Sequence, residues 1–206
     1  MRGGPLDHVA LWTDQRDALA DFLCAQAGMH VIERTDRFTL VGVDARKGKL
    51  TLFEADGPRE AGALAHVGLR VRAPREPVAA PGGLELRFVE NGGDEWDLDH
   101  VSLRVPDPAA ALDELSQLGF ERENGGLRAG DKRVVLEQGD PDTERPLLNH
   151  LALLVDSVQE HIDEAERRGL DVEDVVDAPN TIALFVRGPA GIRIEYVEHK
   201  PGFALK

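Results

Sequence analysis

Four histidines occupy one position of one recurring hexapeptide. Leu6-Asp7-His8-Val9-Ala10-Leu11 returns as Leu64-Ala65-His66-Val67-Gly68-Leu69, as Leu98-Asp99-His100-Val101-Ser102-Leu103 and as Leu148-Asn149-His150-Leu151-Ala152-Leu153. The shared pattern is L-x-H-[VL]-[AGS]-L, and it takes in four of the seven histidines of the chain. A repeat of this kind marks a duplicated structural unit. Imidazoles can hold a metal or move a proton near neutral pH.

The alternation around each histidine is that of a strand. The apolar residues after the His and two positions later share one face. The His and the small residue two positions on share the other. A His beside Ala10, Gly68, Ser102 or Ala152 therefore faces open space, as a cavity-lining strand requires.

Helices are expected after three of the four strands. One covers Asp14 to Met29. Another starts at Asp107-Pro108, with proline where a first turn tolerates it, and runs to Gly119. The last follows Asp156-Ser157 and ends near Gly169. The second copy continues as Arg72-Ala73-Pro74-Arg75-Glu76-Pro77, too rich in proline for a helix. Short extended runs follow at Phe38 to Val43, Val134 to Glu137 and Thr181 to Val186. Each module closes on a further strand. The fourth reads Gly191-Ile192-Arg193-Ile194-Glu195-Tyr196, the second Gly83-Leu84-Glu85-Leu86-Arg87-Phe88, the first Gly48-Lys49-Leu50-Thr51-Leu52-Phe53 and the third Arg133-Val134-Val135-Leu136-Glu137.

Repeated L-x-H-[VL]-x-L strands with the closing turn and strand Arg187-Gly188-Pro189-Ala190-Gly191-Ile192-Arg193-Ile194-Glu195 resemble the vicinal oxygen chelate superfamily, which includes glyoxalase I, bleomycin-resistance proteins, methylmalonyl-CoA epimerase and extradiol dioxygenases. The resemblance covers nearly the whole chain. It implies an α+β fold of repeated βαβββ modules paired into cupped mixed sheets around a metal, with ligands from the first and last strands of each module. Pairing neighbours in sequence gives an N-terminal pair at 1–92, its second module truncated, and a C-terminal pair at 93–206.

On that scheme the carboxylate position decides which pair holds the ion. The first module has Leu52 there, the second Arg87, the third Val135 and the fourth Glu195. His8 and His66 beside Arg87 make a poor cation site, because a guanidinium repels the ion. His100, His150 and Glu195 form the expected metal site. Two histidines and one carboxylate suit non-heme Fe(II), and also Mn, Co, Ni or Zn. A match shifted by one residue would add Glu137, the set of bacterial glyoxalase I. Unshifted, Glu137 lies ~6.6 Å along the strand, against a metal–oxygen bond of ~2.1 Å. His8 and His66 are read as structural, and His161, on a charged helix, as surface-exposed. Glu198 is expected in solvent, Cys24 in the core, and Trp12 and Trp96 in packing.

The expected activity is that of a metal-dependent, Fe(II) oxygenase-like enzyme acting on a small vicinal-oxygen substrate. Alternatives are a glyoxalase- or epimerase-like lyase or isomerase, and a non-catalytic binding protein of the resistance type. Phe185 stands where extradiol enzymes carry a tyrosine, and Val135 is the best match to their acid/base histidine. Neither side chain can move a proton.

With 206 residues the chain can build one large core or two small ones. A formal net charge of −14 disfavours a nucleic-acid partner. No apolar run reaches the ~20 residues of a membrane span, and one cysteine permits no internal disulfide. A cytoplasmic protein with a small-molecule substrate is expected, homodimerisation being open.

Overall fold

The structure, a computed structural model, describes residues 1–201 and 203. The first module comprises β1 (Leu6–Thr13), α1 (Arg16–Gln26), β2 (His30–Arg34), β3 (Phe38–Gly42) and β4 (Leu50–Glu54). The second has β5 (Leu64–Val71), β6 (Val78–Ala79) and β7 (Glu85–Glu90), with a single 3-10 turn at Pro81–Gly83 in place of a helix. The third contains β8 (Leu98–Val105), α2 (Pro108–Gln117), β9 (Glu121–Glu123), β10 (Gly126–Ala129) and β11 (Lys132–Gln138). The fourth contains β12 (Leu148–Leu154), α3 (Val158–Arg168), β13 (Val172–Asp177), β14 (Thr181–Arg187) and β15 (Arg193–His199). The α+β architecture of repeated modules in two mixed sheets is as expected.

The helices start and stop for local reasons. Asp107 accepts hydrogen bonds from the amides of Ala109 and Ala110, and Pro108 occupies the first turn of α2. Ser157 accepts from the Glu160 amide, and Gly169 ends α3 at φ 62°, a conformation costly for a residue with a Cβ. Glu198 accepts from the Val158 amide instead of facing solvent, placing a carboxylate at the α3 N-terminus.

Modules pair in nested order. One sheet of eight strands runs β13-β14-β15-β12-β1-β4-β3-β2, joining the fourth module to the first. The other, of seven strands, runs β6-β7-β5-β8-β11-β10-β9, joining the second to the third. This differs from the division at 92/93, in which each half would make its own sheet. The reason is that all four leading strands present the same apolar face. Their pattern fixes the face but is silent on the partner. The antiparallel pairs β1/β12 and β5/β8 each lie at a sheet centre.

A single apolar core takes residues from both sheets and all three helices, among them Val9, Leu11, Leu151, Leu153, Ile194 and Tyr196. These alternate with the histidine face. His161 belongs to this interior, against expectation: it is 6% exposed. It shares the inner side of α3 with Val158 and Ala165, at helical spacing. Its Nδ1 faces the Ser157 carbonyl and its Nε2 the Arg2 carbonyl, both at 2.8 Å, and its ring packs on Tyr196. Cys24 is half-buried on α1, outside the core.

Candidate metal centre

Strand register sets the ligand positions. In each module the small residue two after the His lies beside one residue of the closing strand. Ala10 pairs with Thr51, Gly68 with Arg87, Ser102 with Val135 and Ala152 with Glu195. Three of these match the sequence alignment. In the first module the equivalent position is Thr51, one residue before Leu52.

Across the β1/β12 seam, His8 sits opposite Ala152 and His150 opposite Ala10. The two alanines leave room for two imidazoles, and Glu195 projects beside them from β15. His8, His150 and Glu195 thus offer three ligand atoms within 4.8 Å of one another. The Nε2 atoms of His8 and His150 are 3.1 Å apart. Glu195 Oε2 lies 2.8 Å from His150 Nε2 and 3.3 Å from His8 Nε2. Two ligand atoms at bonds of about 2.1 Å stand about 3.0 Å apart across an octahedral edge and about 3.4 Å across a tetrahedral one. The observed separations centre on the octahedral value.

Of the residues expected to form the site, His150 and Glu195 are brought together and His100 is not. His100 lies in the seven-stranded sheet, where its Nε2 is 2.9 Å from that of His66. His8, read from sequence as structural, stands in its place. Nested pairing is the cause: β1, not β8, lies against β12.

The surroundings hold both rings with Nε2 free. Asp7 accepts from His8 Nδ1 at 2.9 Å, and Lys49 donates to both Asp7 oxygens at 2.7 Å. Asn149 Oδ1 accepts from His150 Nδ1 at 3.0 Å and from Arg193 at 2.8 Å. Donation through Nδ1 leaves Nε2 as a lone pair. With both rings neutral, three lone-pair atoms therefore converge. Glu195 Oε2 is buried and has no hydrogen-bond partner outside this group. An orphaned buried carboxylate oxygen between two imidazole lone pairs fits a cation.

Titration follows the same logic. Burial opposes a charge on His8, but hydrogen bonds and charge from Asp7 and Glu195 overcome it and raise its pKa to about 9. Burial lowers that of His150, with Glu195 acting against the shift. Burial would raise Glu195, yet His150 and His8 hold it well below the usual carboxylate range. Phe185 and Phe53 flank His150, with ring centres at 5.2 and 6.1 Å, and give the site apolar walls.

The second sheet repeats the plan with different chemistry. Asp99 accepts from His100 Nδ1 at 2.8 Å and is ion-paired to Arg133. Arg87 and Val135 take the positions of Glu195 and Thr51. Ala65 precedes His66, so no side chain backs that ring, and its buried Nδ1 is unpartnered. Glu137 accepts from the Ser102 hydroxyl and lies 3.9 Å from His66 Nδ1. It belongs to this sheet, away from Glu195. Among the described residues, His8, His150 and Glu195 form the group able to hold an ion.

Sequence reasoning missed His8, Asp7, Lys49 and Asn149. A signal was present. Lys49, Arg133 and Arg193 each stand two residues before the ligand position, and each is bound to the Asp or Asn that precedes its module's His. Aligning Lys49 with Arg193 yields Thr51 directly.

The first part of the chain carries a family signature, and the whole of it resembles known structures in fold. Residues 5–80 match the family model of the Glyoxalase/Bleomycin resistance protein/Dioxygenase superfamily. Among solved structures, a Bacillus subtilis protein provisionally named a dioxygenase is 16% identical with a TM-score of 0.77, over 98% of this chain and 87% of its own. Glyoxalase I from Zea mays is 16% identical with a TM-score of 0.73, over 94% and 92%. The cppA protein of Streptococcus pneumoniae TIGR4 is 11% identical with a TM-score of 0.64, over 96% and 100%. No curated protein matches by sequence. No helix among the described residues is long and apolar enough to cross a membrane.

Proposed function

We propose that this chain is a metal-dependent enzyme whose ion is held by His8, His150 and Glu195, with Fe(II) oxygenase-like activity on a small vicinal-oxygen substrate. The observation that carries this is the convergence of two Nε2 lone pairs and one orphaned carboxylate oxygen on one point. Thr51 at the fourth position supports a three-ligand set rather than two histidines with two carboxylates. Such a set suits Fe(II) and also accepts Mn, Co, Ni or Zn.

A bound divalent ion would supply Lewis acidity toward paired substrate oxygens and, as Fe(II), redox chemistry toward O₂. The chain's own residues do the rest. Asp7 and Asn149 fix the ring orientations; Lys49 balances the charge of Asp7, and Arg193 holds the Asn149 amide by a hydrogen bond. Phe53 and Phe185 keep water from the His150 side. With three protein ligands, about three positions remain for a bidentate substrate and one small co-substrate.

The test is oxygen uptake by anaerobically Fe(II)-loaded protein across catechols, enols and 2-oxo acids. Uptake above the substrate-free rate, lost in Glu195→Ala, is expected. No uptake, with turnover of a hemithioacetal or an acyl-CoA epimer instead, would favour the isomerase or lyase reading.

A further inference from the structure

Trp12, Phe38, Phe53 and Phe185 take no part in the apolar core. They lie on the histidine face of the eight-stranded sheet, and strand register puts them there. Trp12 stands beside Phe53 as Ala10 stands beside Thr51, Phe38 is opposite Phe53, and Phe185 is opposite Glu195. The rings form one row. Phe53 meets Trp12 at 5.4 Å, Phe38 at 5.8 Å and His150 at 6.1 Å between centres, and Phe185 closes the far side of His150 at 5.2 Å.

The fold itself does not call for rings here. The pair Trp12 and Phe53 recurs in the second module as Arg70 and Val89, in the third as Arg104 and Glu137, and in the fourth as Leu154 and Val197. The seven-stranded sheet thus fills the same positions with charged and aliphatic side chains, and the rings accompany the sheet that carries His8, His150 and Glu195. Their surfaces are incompletely covered. Trp12, Phe38 and Phe53 are half-buried, whereas Val41, Leu50 and Leu52, on the core side of β3 and β4, are fully buried. Arg59 lies over the Trp12 ring at 5.7 Å, so Trp12 backs Phe53, and Phe53 and Phe38 keep the open surface. Charge is kept away from it. Leu40 and Thr51 form the adjoining pair, and Lys49 is held in the interior by Asp7. A half-covered, uncharged aromatic surface beside a ligand histidine matches an aromatic body, through burial and edge-to-face contact.

We propose that Phe53 and Phe38 are specificity-determining residues, which select, among ligands with paired oxygens, those that carry an aromatic body. This rests on the metal-centre reading above, and the test separates failure of the one from failure of the other.

The probes are benzohydroxamate and acetohydroxamate, which offer a metal the same two oxygens and differ in the phenyl group. Each is titrated by calorimetry into zinc-loaded protein, and its affinity is divided by its affinity for free zinc. The corrected ratio is expected to favour benzohydroxamate at least ~10-fold. Phe53→Ala and Phe38→Ala should each lower it to ~3-fold or less, and Phe88→Ala, on the other sheet, should leave it unchanged. Equal corrected affinities, an undiminished ratio in both variants of the row, or an equal loss in Phe88→Ala would each overturn the assignment and leave the metal centre standing. Zinc-loaded protein that takes neither hydroxamate would overturn the assignment as well. Protein that holds no stoichiometric zinc would overturn the metal-centre reading, and this assignment with it.

Discussion

His8 and His150 lie 142 residues apart in sequence and hold their Nε2 atoms 3.1 Å from one another across the β1/β12 seam. Each ring fills the space above an alanine of the opposite strand. Neither ring has a donor to spare for the other while its Nδ1 proton is held by Asp7 or Asn149. The contact is stable only with a proton or a metal ion between the lone pairs.

Metal stoichiometry should follow this contact rather than the motif alone. His8→Ala, His150→Ala and Glu195→Ala are each expected to lose stoichiometric divalent metal, and His100→Ala to keep it. Elemental analysis of untagged protein decides. Retained metal in His8→Ala, or lost metal in a folded His100→Ala, would sink the assignment.

The residues behind the rings should matter nearly as much. Lys49→Met leaves Asp7 buried beside His8 without its cation, and Asn149→Ala frees His150 Nδ1. Each is expected to weaken metal binding by ~10- to 100-fold, the usual cost of losing a partner that orients a ligand. Competition with a chromophoric chelator gives the ratio. Unchanged affinity in both would show that the rings are held by packing alone.

Thr51→Glu offers a gain. It places a second carboxylate at the position equivalent to Glu195, opposite Ala10. Tighter binding of Ni or Zn by at least ~10-fold is expected, since each added anionic ligand lowers the energy of the bound cation. Oxygen uptake should fall, as one open position is lost. A variant that binds metal no more tightly would place Thr51 outside the coordination sphere.

Much of this geometry is legible in the sequence, and the gaps have physical causes. The strand pattern of L-x-H-[VL]-[AGS]-L, the capping residues Asp107 and Ser157, and the stop at Gly169 are local, so the chain states them locally. The partner of each leading strand is not local. Four strands with the same apolar face can pair in several ways at equal burial, and only the assembled core selects β1 with β12. The register of β4 is hidden by the loop before Gly48, which breaks the alignment by one residue. His161 is masked by its charged neighbours, although Val158 and Ala165 carry the helical period that buries it.

His66 should give the acid limb of the stability curve. Burial lowers its pKa to about 4, and the charges of Arg87 and His100 add to the shift. The ordinary value is 6.5, so the unfolded chain binds the proton more tightly than the folded one. Stability from this group is complete above pH 6.5 and is lost as pH falls toward 4, by about 1–3 kcal/mol. Denaturant midpoints across that window should be flatter in His66→Gln. A parallel slope in wild type and variant would contradict the assignment.

His161→Leu removes the donor to the Arg2 carbonyl and the ring that packs on Tyr196. A loss of about 1–3 kcal/mol is expected, from the lost hydrogen bonds and ring packing of a buried side chain. Metal content should be unchanged, because His161 lies on α3, away from the ligand face. Equal urea midpoints for variant and parent would show the contact to be dispensable.

The nested pairing of modules sets an order of events during synthesis. The second and third modules are neighbours in the chain, and their sheet can close while the fourth is still inside the ribosome. Until then β1 waits with an open edge and His8 without His150. Domains that complete early fold early, but the candidate metal centre takes its residues from the first strand and the last. It is therefore the final part of the molecule to exist, and no nascent chain short of β15 can capture the ion on all three residues.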